Sequence, residues 1–269
     1  MFNHHQLHRI FDISLRNTNK LQGKNVSCLI IGANNGTDDD TLCGYIHVFD
    51  WKAVMVEPLP EHVAALQVNF NRQIKQGKVV VAAECCSDAI QCVEMGWIPY
   101  EVIKQHDLHA ALRGMSCILP AENGFNSDAA SRALFETHKQ TMKFVTKTID
   151  VVCEEHYMEH IDYVQCDVEG YDLRVLSKFN FAKYKPKVFK FESRNIDACH
   201  QQAKDLFEQH GYGVYSLGGD SLAIHGDHLL HLQRNERWKE VLMLHGAASD
   251  NIAACFHDDV DTQEFITEI

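Results

Sequence analysis

The sequence predicts an α/β fold, a doubly wound and mostly parallel sheet with helices on both faces. Three observations carry that expectation. Short apolar runs rich in β-branched residues alternate with longer amphipathic stretches, the pattern of successive βαβ units. The first run, "VSCLII", passes directly into the glycine turn "GANNG", as a strand does when it delivers a binding loop. The 269 residues, 45% of them hydrophobic, suffice for a sizeable core.

Residues 1–24 read as a helical extension ahead of the sheet. Strands are expected over Val26 to Ile31, Ala53 to Val56, Val79 to Ala83, Tyr163 to Cys166 and Val188 to Phe191. Short runs of this composition suit parallel strands buried on both faces. Pro58 ends the second strand and Pro60 opens the next helix, because proline's fixed φ fits a first helical position. In that helix, "PEHVAALQVNFNRQI" sets Val63, Leu66 and Phe70 on one face, and "DACHQQAKDLFEQHGYG" is a later helix closed by glycine. From about Ile90 to Gln140 the rhythm breaks into glycines, prolines and polar clusters. An insert there lies near the carboxyl edge of the sheet, where open α/β sheets bind ligands, and reads either as a substrate cover or as a surface excursion with a short hairpin. The tail beyond Gly226, residues 226–269, mixes helical stretches with an acidic end. Packing on the sheet and packing on another subunit of a homo-oligomer are both left open.

Composition narrows the function classes. With 25 Lys plus Arg against 37 Asp plus Glu, the formal net charge is −12, which argues against nucleic acid and anionic membranes as partners and for a small molecule. The N-terminus has no uninterrupted apolar core of a signal peptide, and no segment approaches the roughly 18 apolar residues of a membrane span. A cytoplasmic protein with reduced thiols is the expectation, since the ten cysteines include no CxxC pair. His156 and His160 in "HYMEH", like His4 and His8, are four apart and could share a helix face. Neither pair has the glutamate placement of HExxH, and both read as helix-surface residues. "HGDH", His225 to His228, reads as a polar turn.

The chemistry gathers at strand ends. A dinucleotide fold carries GxGxxG and seats a pyrophosphate on the following helix. Here Gly32 and Gly36 frame Ala33, Asn34 and Asn35, and the helix would open on Asp38, Asp39 and Asp40, which repel phosphate. A cationic, phosphate-free cofactor such as S-adenosylmethionine meets no such objection, and the glycines would let the chain pass close to it. Glu57 ends the second strand about 20 residues past the glycine turn, where an acid accepts hydrogen bonds from ribose hydroxyls. Ser87 and Asp88 follow the third strand and could face an adenine, or Asp88 could merely cap a turn. Asp167 and Glu169 end the fourth strand beside Gly170, and two carboxylates in such a place are more often functional than decorative.

Together, "IGANNGTDDD", "VMVEPLPEHVAAL", "SDA", "IDYVQCDVEGYDLRVL" and "KPKVFKFES" resemble the FkbM-family methyltransferases over about Asn25 to Ile224, the DVEG-type block being the most specific part. The resemblance implies a class I methyltransferase fold, a seven-stranded sheet closing with an antiparallel hairpin, here "YGVYSL" and "SLAIHG" around "LGGD". It implies an S-adenosylmethionine site in a methyltransferase domain over residues 25–225: Gly32, Ala33, Asn34 and Gly36 at the methionine end, Glu57 at the ribose, Ser87 and Asp88 near the adenine, and Asp167 bordering the methyl group. Ile30 departs from the family, which commonly has an acid two places before the first glycine.

The family's members usually methylate hydroxyls of sugars or secondary metabolites, so an O-methyltransferase acting on a small-molecule acceptor is expected. Methyl transfer chiefly requires alignment, and a hydroxyl acceptor also requires help with its proton. Asp167, Glu169 and Glu192 are the candidate catalytic carboxylates. They could instead hold a divalent metal, which is the less favoured alternative, and no specific metal ligands are assigned. His106, His109 and His138 could face a substrate, although spacing selects none of them. An inactive methyltransferase-like scaffold is the main rival, and a nicotinamide-dependent oxidoreductase is disfavoured by the missing GxGxxG.

Overall fold

The computed structural model describes residues 4–37, 41–109, 112, 114, 116–119, 129–193, 196–217 and 219–233. The predicted triple aspartate, Asp38 to Asp40, and the tail beyond residue 233 lie outside them. In chain order the first elements are α1 (His4–Gln22), β1 (Ser27–Ile31), α2 (Thr41–Phe49), β2 (Lys52–Val56), α3 (Pro60–Asn69), α4 (Asn71–Lys75) and β3 (Val79–Ala82). There follow β4 (Cys85–Cys86), β5 (Cys92–Trp97), α5 (Tyr100–Gln105), β6 (Ser116–Leu119), α6 (Ala129–His138), β7 (Gln140–Lys147) and α7 (Ile149–Glu155). The chain continues through β8 (Tyr163–Cys166), α8 (Asp172–Leu176), β9 (Val188–Glu192), α9 (Ile196–Glu208), β10 (Tyr212–Leu217), β11 (Asp220–His225) and α10 (Gly226–Gln233).

Seven strands form one sheet in the order β10-β11-β9-β8-β1-β2-β3. The pairs among β3, β2, β1, β8 and β9 are parallel, and β11 runs antiparallel to both β9 and β10. This is the class I methyltransferase sheet, closed by the expected hairpin. All five residues of β1 are buried, and they alternate between two cores. Cys28 and Ile30 join Phe11, Trp51 and Tyr163 on one face, while Leu29 and Ile31 join Phe189, Phe191 and Phe207 on the other. Burying a large apolar side chain is worth roughly 1.5–3 kcal/mol, so each face supplies a substantial share of the stability.

Helix α1 is part of this packing. Ile10, Phe11, Ile13 and Leu15 are buried in the first core, and the buried Tyr163 hydroxyl lies 2.9 Å from Ser14 Oγ and 2.6 Å from Thr18 Oγ1. The predicted single helix after Pro60 is two helices, broken at Phe70. Its buried face carries His62, Leu66 and Phe70, with Val63 only half-buried. Two histidine expectations are corrected. Helix α7 ends at Glu155, with His156 as its C-cap and Tyr157 at φ 51°, so His156 and His160 share no helix face. His156 lies 3.4 Å from Glu84, and His160 lies 3.7 Å from Asp162. "HGDH" is not a turn but the end of β11 and the start of α10, and His228 is buried with Nε2 2.6 Å from Ser14 Oγ.

The inserted region is more ordered than a loop with a hairpin. Strands β4, β7, β5 and β6 make a second sheet in that order, with β4 parallel to β7 and the other two pairs antiparallel. Helices α5 and α6 flank it, and Ile98, Ile103, Leu112, Cys117 and Phe135 form its own small core. Strand β4 leaves the third strand of the large sheet almost at once, and so binds the insert to the carboxyl edge of that sheet.

Candidate active site at the carboxyl edge of the large sheet

The ends of β1, β2 and β8 meet at this edge. Gly32, after β1, has φ +77°, and a Cβ there would lie 1.9 Å from the Asp167 carbonyl oxygen. Gly36 has φ +72°, and its Cβ would lie 2.6 Å from Phe70 and 2.8 Å from Leu66. Both glycines are therefore required by the fold itself, the first for the approach of β1 to β8 and the second for the docking of α3. The sequence reading attributed them to a close ligand, whereas the atoms they make room for belong to the protein.

Glu57 is 4% exposed and held from two sides. The backbone N–H of Asn34 donates to its Oε2 at 2.9 Å, and that of Leu59 donates to Oε1 at 2.9 Å. Asn34 sits at φ 46°, a left-handed conformation that asparagine tolerates, and this turns its N–H toward the carboxylate. His62 Nδ1 lies 3.5 Å from Oε1, and the His62 ring stacks on Tyr100 with centroids 5.1 Å apart. The Tyr100 hydroxyl donates to Asn34 Oδ1 at 3.3 Å, and its N–H donates to Glu61 Oε2 at 3.1 Å. The insert is thus tied to the turn after β1 through α5.

Gly32, Glu57 and Asp167 line one cavity of about 40 Å³. The insert closes it, through Met95 on β5 and Ser116, Cys117 and Ile118 on β6. From the third strand the lining residues are Glu84, Cys85 and Cys86. Ala33, Asn34, Gly36, Ser87, Asp88, Glu169 and Glu192 are not among its described lining residues. The reason for Ser87 and Asp88 is the early turn after β3: the Glu84 N–H donates to the Ala82 carbonyl, and the Ser87 N–H donates to the Lys147 carbonyl on β7. That pairing carries Ser87 under the insert, fully buried, where its hydroxyl donates to Asp88 Oδ1 at 3.1 Å; Asp88 lies 3.4 Å from Arg174 Nε.

Glu84 is the carboxylate that lines the cavity from the third strand. Its Oε1 accepts from Lys147 Nζ at 2.9 Å, while its buried Oε2 has no hydrogen-bond partner among the described residues. Burial pushes the thiols of Cys85 and Cys117 up to about 12, so both line the cavity as neutral groups.

One residue that the sequence reading missed organises the carboxylates. Asp172, in the first turn of α8, is 2% exposed and accepts from the backbone N–H of Glu192 at 3.1 Å and of Val168 at 3.4 Å. Burial holds its carboxyl well above the usual range, and the charges of Asp167 and Glu192 push it further. Asp167, Asp172 and Glu192 are thus electrostatically joined at the ends of β8 and β9. Glu169 has φ 52°, and its charge helps to raise the Cys117 thiol of the insert. Among the described residues no three His, Cys, Asp or Glu side chains are arranged to hold a metal ion, and Asp167, Glu169 and Glu192 are no exception. His106 and His138 lie against each other, with centroids 4.6 Å apart.

The sequence matches the family described as Methyltransferase FkbM domain over residues 31–214. The chain belongs to that family. Methyl transfer is its chemistry, and the match of this FkbM-family chain runs from the end of β1 into β10. No curated protein matches the chain in sequence. Among solved structures it is similar to a precorrin-6y C5,15-methyltransferase from Geobacter metallireducens GS-15, at 10% identity over 80% of this chain and 86% of that one, with a TM-score of 0.41. It is also similar to methyltransferase FkbM from Methylobacillus flagellatus KT, at 13% identity over 75% of this chain and 44% of that one, with a TM-score of 0.40. A SAM-dependent methyltransferase from Agrobacterium tumefaciens stands at 10% identity, 80% of this chain and 60% of that one, and a TM-score of 0.41. No helix among the described residues is long and apolar enough to cross a membrane.

Proposed function

We propose that the protein binds S-adenosylmethionine at the carboxyl edge of the large sheet and methylates a hydroxyl group on a small molecule, a sugar or a secondary metabolite. The observation that carries this reading is the convergence of Gly32, Glu57 and Asp167, from three adjacent strand ends, on one cavity. The donor set fits the cofactor. Glu57 keeps lone pairs for ribose hydroxyls beside the two N–H groups that orient it. The orphaned Glu84 Oε2 suits an exocyclic amine, so Glu84 joins Ser87 and Asp88 as the adenine-side group, and Asn34, Ala33 and Gly36 shape the turn at the methionine end. The volume fits only after opening: about 40 Å³ is far below the roughly 300–1,000 Å³ of ordinary ligand pockets. Met95 and the β6 residues of the insert are the groups that must withdraw.

When bound, S-adenosylmethionine supplies a methyl group on a positively charged sulfur. The chain's task is to hold the acceptor hydroxyl in line with it and to receive the hydroxyl proton. Asp167 borders the cavity and is the first candidate for that proton, with Glu192 and Glu169 as neighbouring carboxylates. Methyl transfer from labelled S-adenosylmethionine to a panel of sugars and hydroxylated metabolites tests the reading. Asp167→Asn is expected to lower kcat about 10²-fold or more for a true acceptor while leaving cofactor binding within a few-fold. Unchanged kcat in that variant would remove Asp167 from the chemistry.

A second reading, an inactive methyltransferase-like scaffold, draws on the same narrow cavity and on Ile30, wholly buried where an acid commonly stands. It predicts a folded protein that binds no S-adenosylmethionine.

A further inference from the structure

A second cavity lies at the opposite, amino edge of the large sheet, between the end of α1, the approach to β9 and the junction of β11 with α10. Its volume is about 400 Å³, within the usual range for small-molecule sites. In a chain of net charge −12 its walls are basic: Lys185, Lys187, His225, His228 and His231 line it, with Asp227 as the acidic lining residue.

The polar groups are mostly donors. Lys187 is held by Asp162 and donates to Gln22 Oε1 at 3.2 Å, which leaves the Gln22 amide NH2 as a donor. The Asp227 N–H donates to His225 Nδ1 at 3.3 Å, which assigns the neutral ring's proton to Nε2. Lys185 and His231 are exposed, and neither takes part in an ion pair among the described residues. Asp227 lies 3.7 Å from His225 and is itself 92% exposed. The buried His228 senses the same surroundings: desolvation lowers it most, Lys187, His231 and His225 add to the lowering and Asp162 opposes it, to about 3 in all.

We propose that this cavity binds a phosphate monoester carried on a small carbon skeleton. Donors arrive from three elements, α1, the β9 approach and α10, which suits a tetrahedral group approached from several sides. A planar carboxylate is matched best by the fork of an arginine, and no arginine is among the cavity's described lining residues, whereas lysine binds phosphate as a point charge. The volume exceeds that of a lone ion, and Leu21 with the lysine stems offers apolar surface for a carbon skeleton. The site lies at the other edge from Glu57 and Asp167, so it is independent of the cofactor reading.

Calorimetric titration of the full-length protein with glucose 6-phosphate, inorganic phosphate, glucose and citrate tests the proposal. Glucose 6-phosphate is expected to bind, glucose not at all, and the exposed-residue variant Lys185→Glu/His231→Glu to bind the ester at least tenfold more weakly. Cofactor binding in that variant should be unchanged. Absence of glucose 6-phosphate binding at roughly 10 mM, equal binding by the folded variant, or tighter binding of citrate than of the ester would each overturn it.

Discussion

At the scale of the residue, Asp172 carries the sharpest consequence. Its folded-state carboxyl titrates well above the roughly 3.9 of an unfolded aspartate, because it is buried beside Asp167 and Glu192. The folded state therefore retains a proton that the unfolded state gives up. The contribution is fully present below about pH 4 and declines as pH rises toward the folded value. Asp172→Asn abolishes that titration and replaces one acceptor oxygen by a donor facing a backbone N–H. Urea midpoints measured from pH 4 to pH 8 should show the variant at its greatest disadvantage at the acid end, with the gap narrowing as pH rises. Parallel profiles would contradict this assignment. Asp172 was hidden in the sequence because an acid in the first turn of a helix has an ordinary explanation in the helix dipole. Glu57 and Asp167 were legible because each stands at a fixed offset from the end of an apolar strand. Gly32 and Gly36 were read as glycines for a close ligand, and the second reason for them, the approach of Asp167 and Phe70 from distant parts of the chain, was hidden.

At the scale of the element, the docking of α10 onto α1 rests on His228. This ring lies against Ser14 and is lowered to about 3 by burial and by Lys187, His231 and His225. For a histidine depressed in the folded state, the stabilisation is present above the unfolded value of about 6.5 and is lost as pH falls toward the folded one, at up to about 1.4 kcal/mol per pH unit. Thermal midpoints should fall between pH 7 and pH 4, and His228→Gln should flatten that decline while weakening the α10 contact at pH 7. An unchanged slope in the variant would show that another group controls the acid response. The five parallel strands of the large sheet were readable from their apolar runs, and the closing hairpin of β10 and β11 only through the family resemblance. Those of the insert were not: β7, "QTMKFVTK", is mostly exposed with one buried residue, β5, "CVEMGW", is buried only in part, and the two pair across more than forty intervening residues. No glycine or proline punctuation marks where β7 begins. The burial of Ser87 under the insert was hidden for a related reason, because the pairing of β4 with β7 is invisible until the insert is folded.

At the scale of the molecule, the sheet order, the FkbM family match over residues 31–214 and the shared cavity of Gly32, Glu57 and Asp167 belong together. The insert adds the feature that sequence reading left open. It presses Met95, Cys117 and Ile118 against that cavity, and it is tied to the turn after β1 through Tyr100 and Asn34. A ligand larger than that cavity enters only if these insert residues shift. Calorimetric titration of the full-length protein with S-adenosylmethionine, beside the variant Glu57→Ala, tests the central claim most directly. The wild type should bind one equivalent, and loss of the ribose-side carboxylate should weaken binding by about tenfold or more, the equivalent of one charge-assisted hydrogen bond. No binding by folded wild-type protein, or equal binding by the folded variant, would contradict the account.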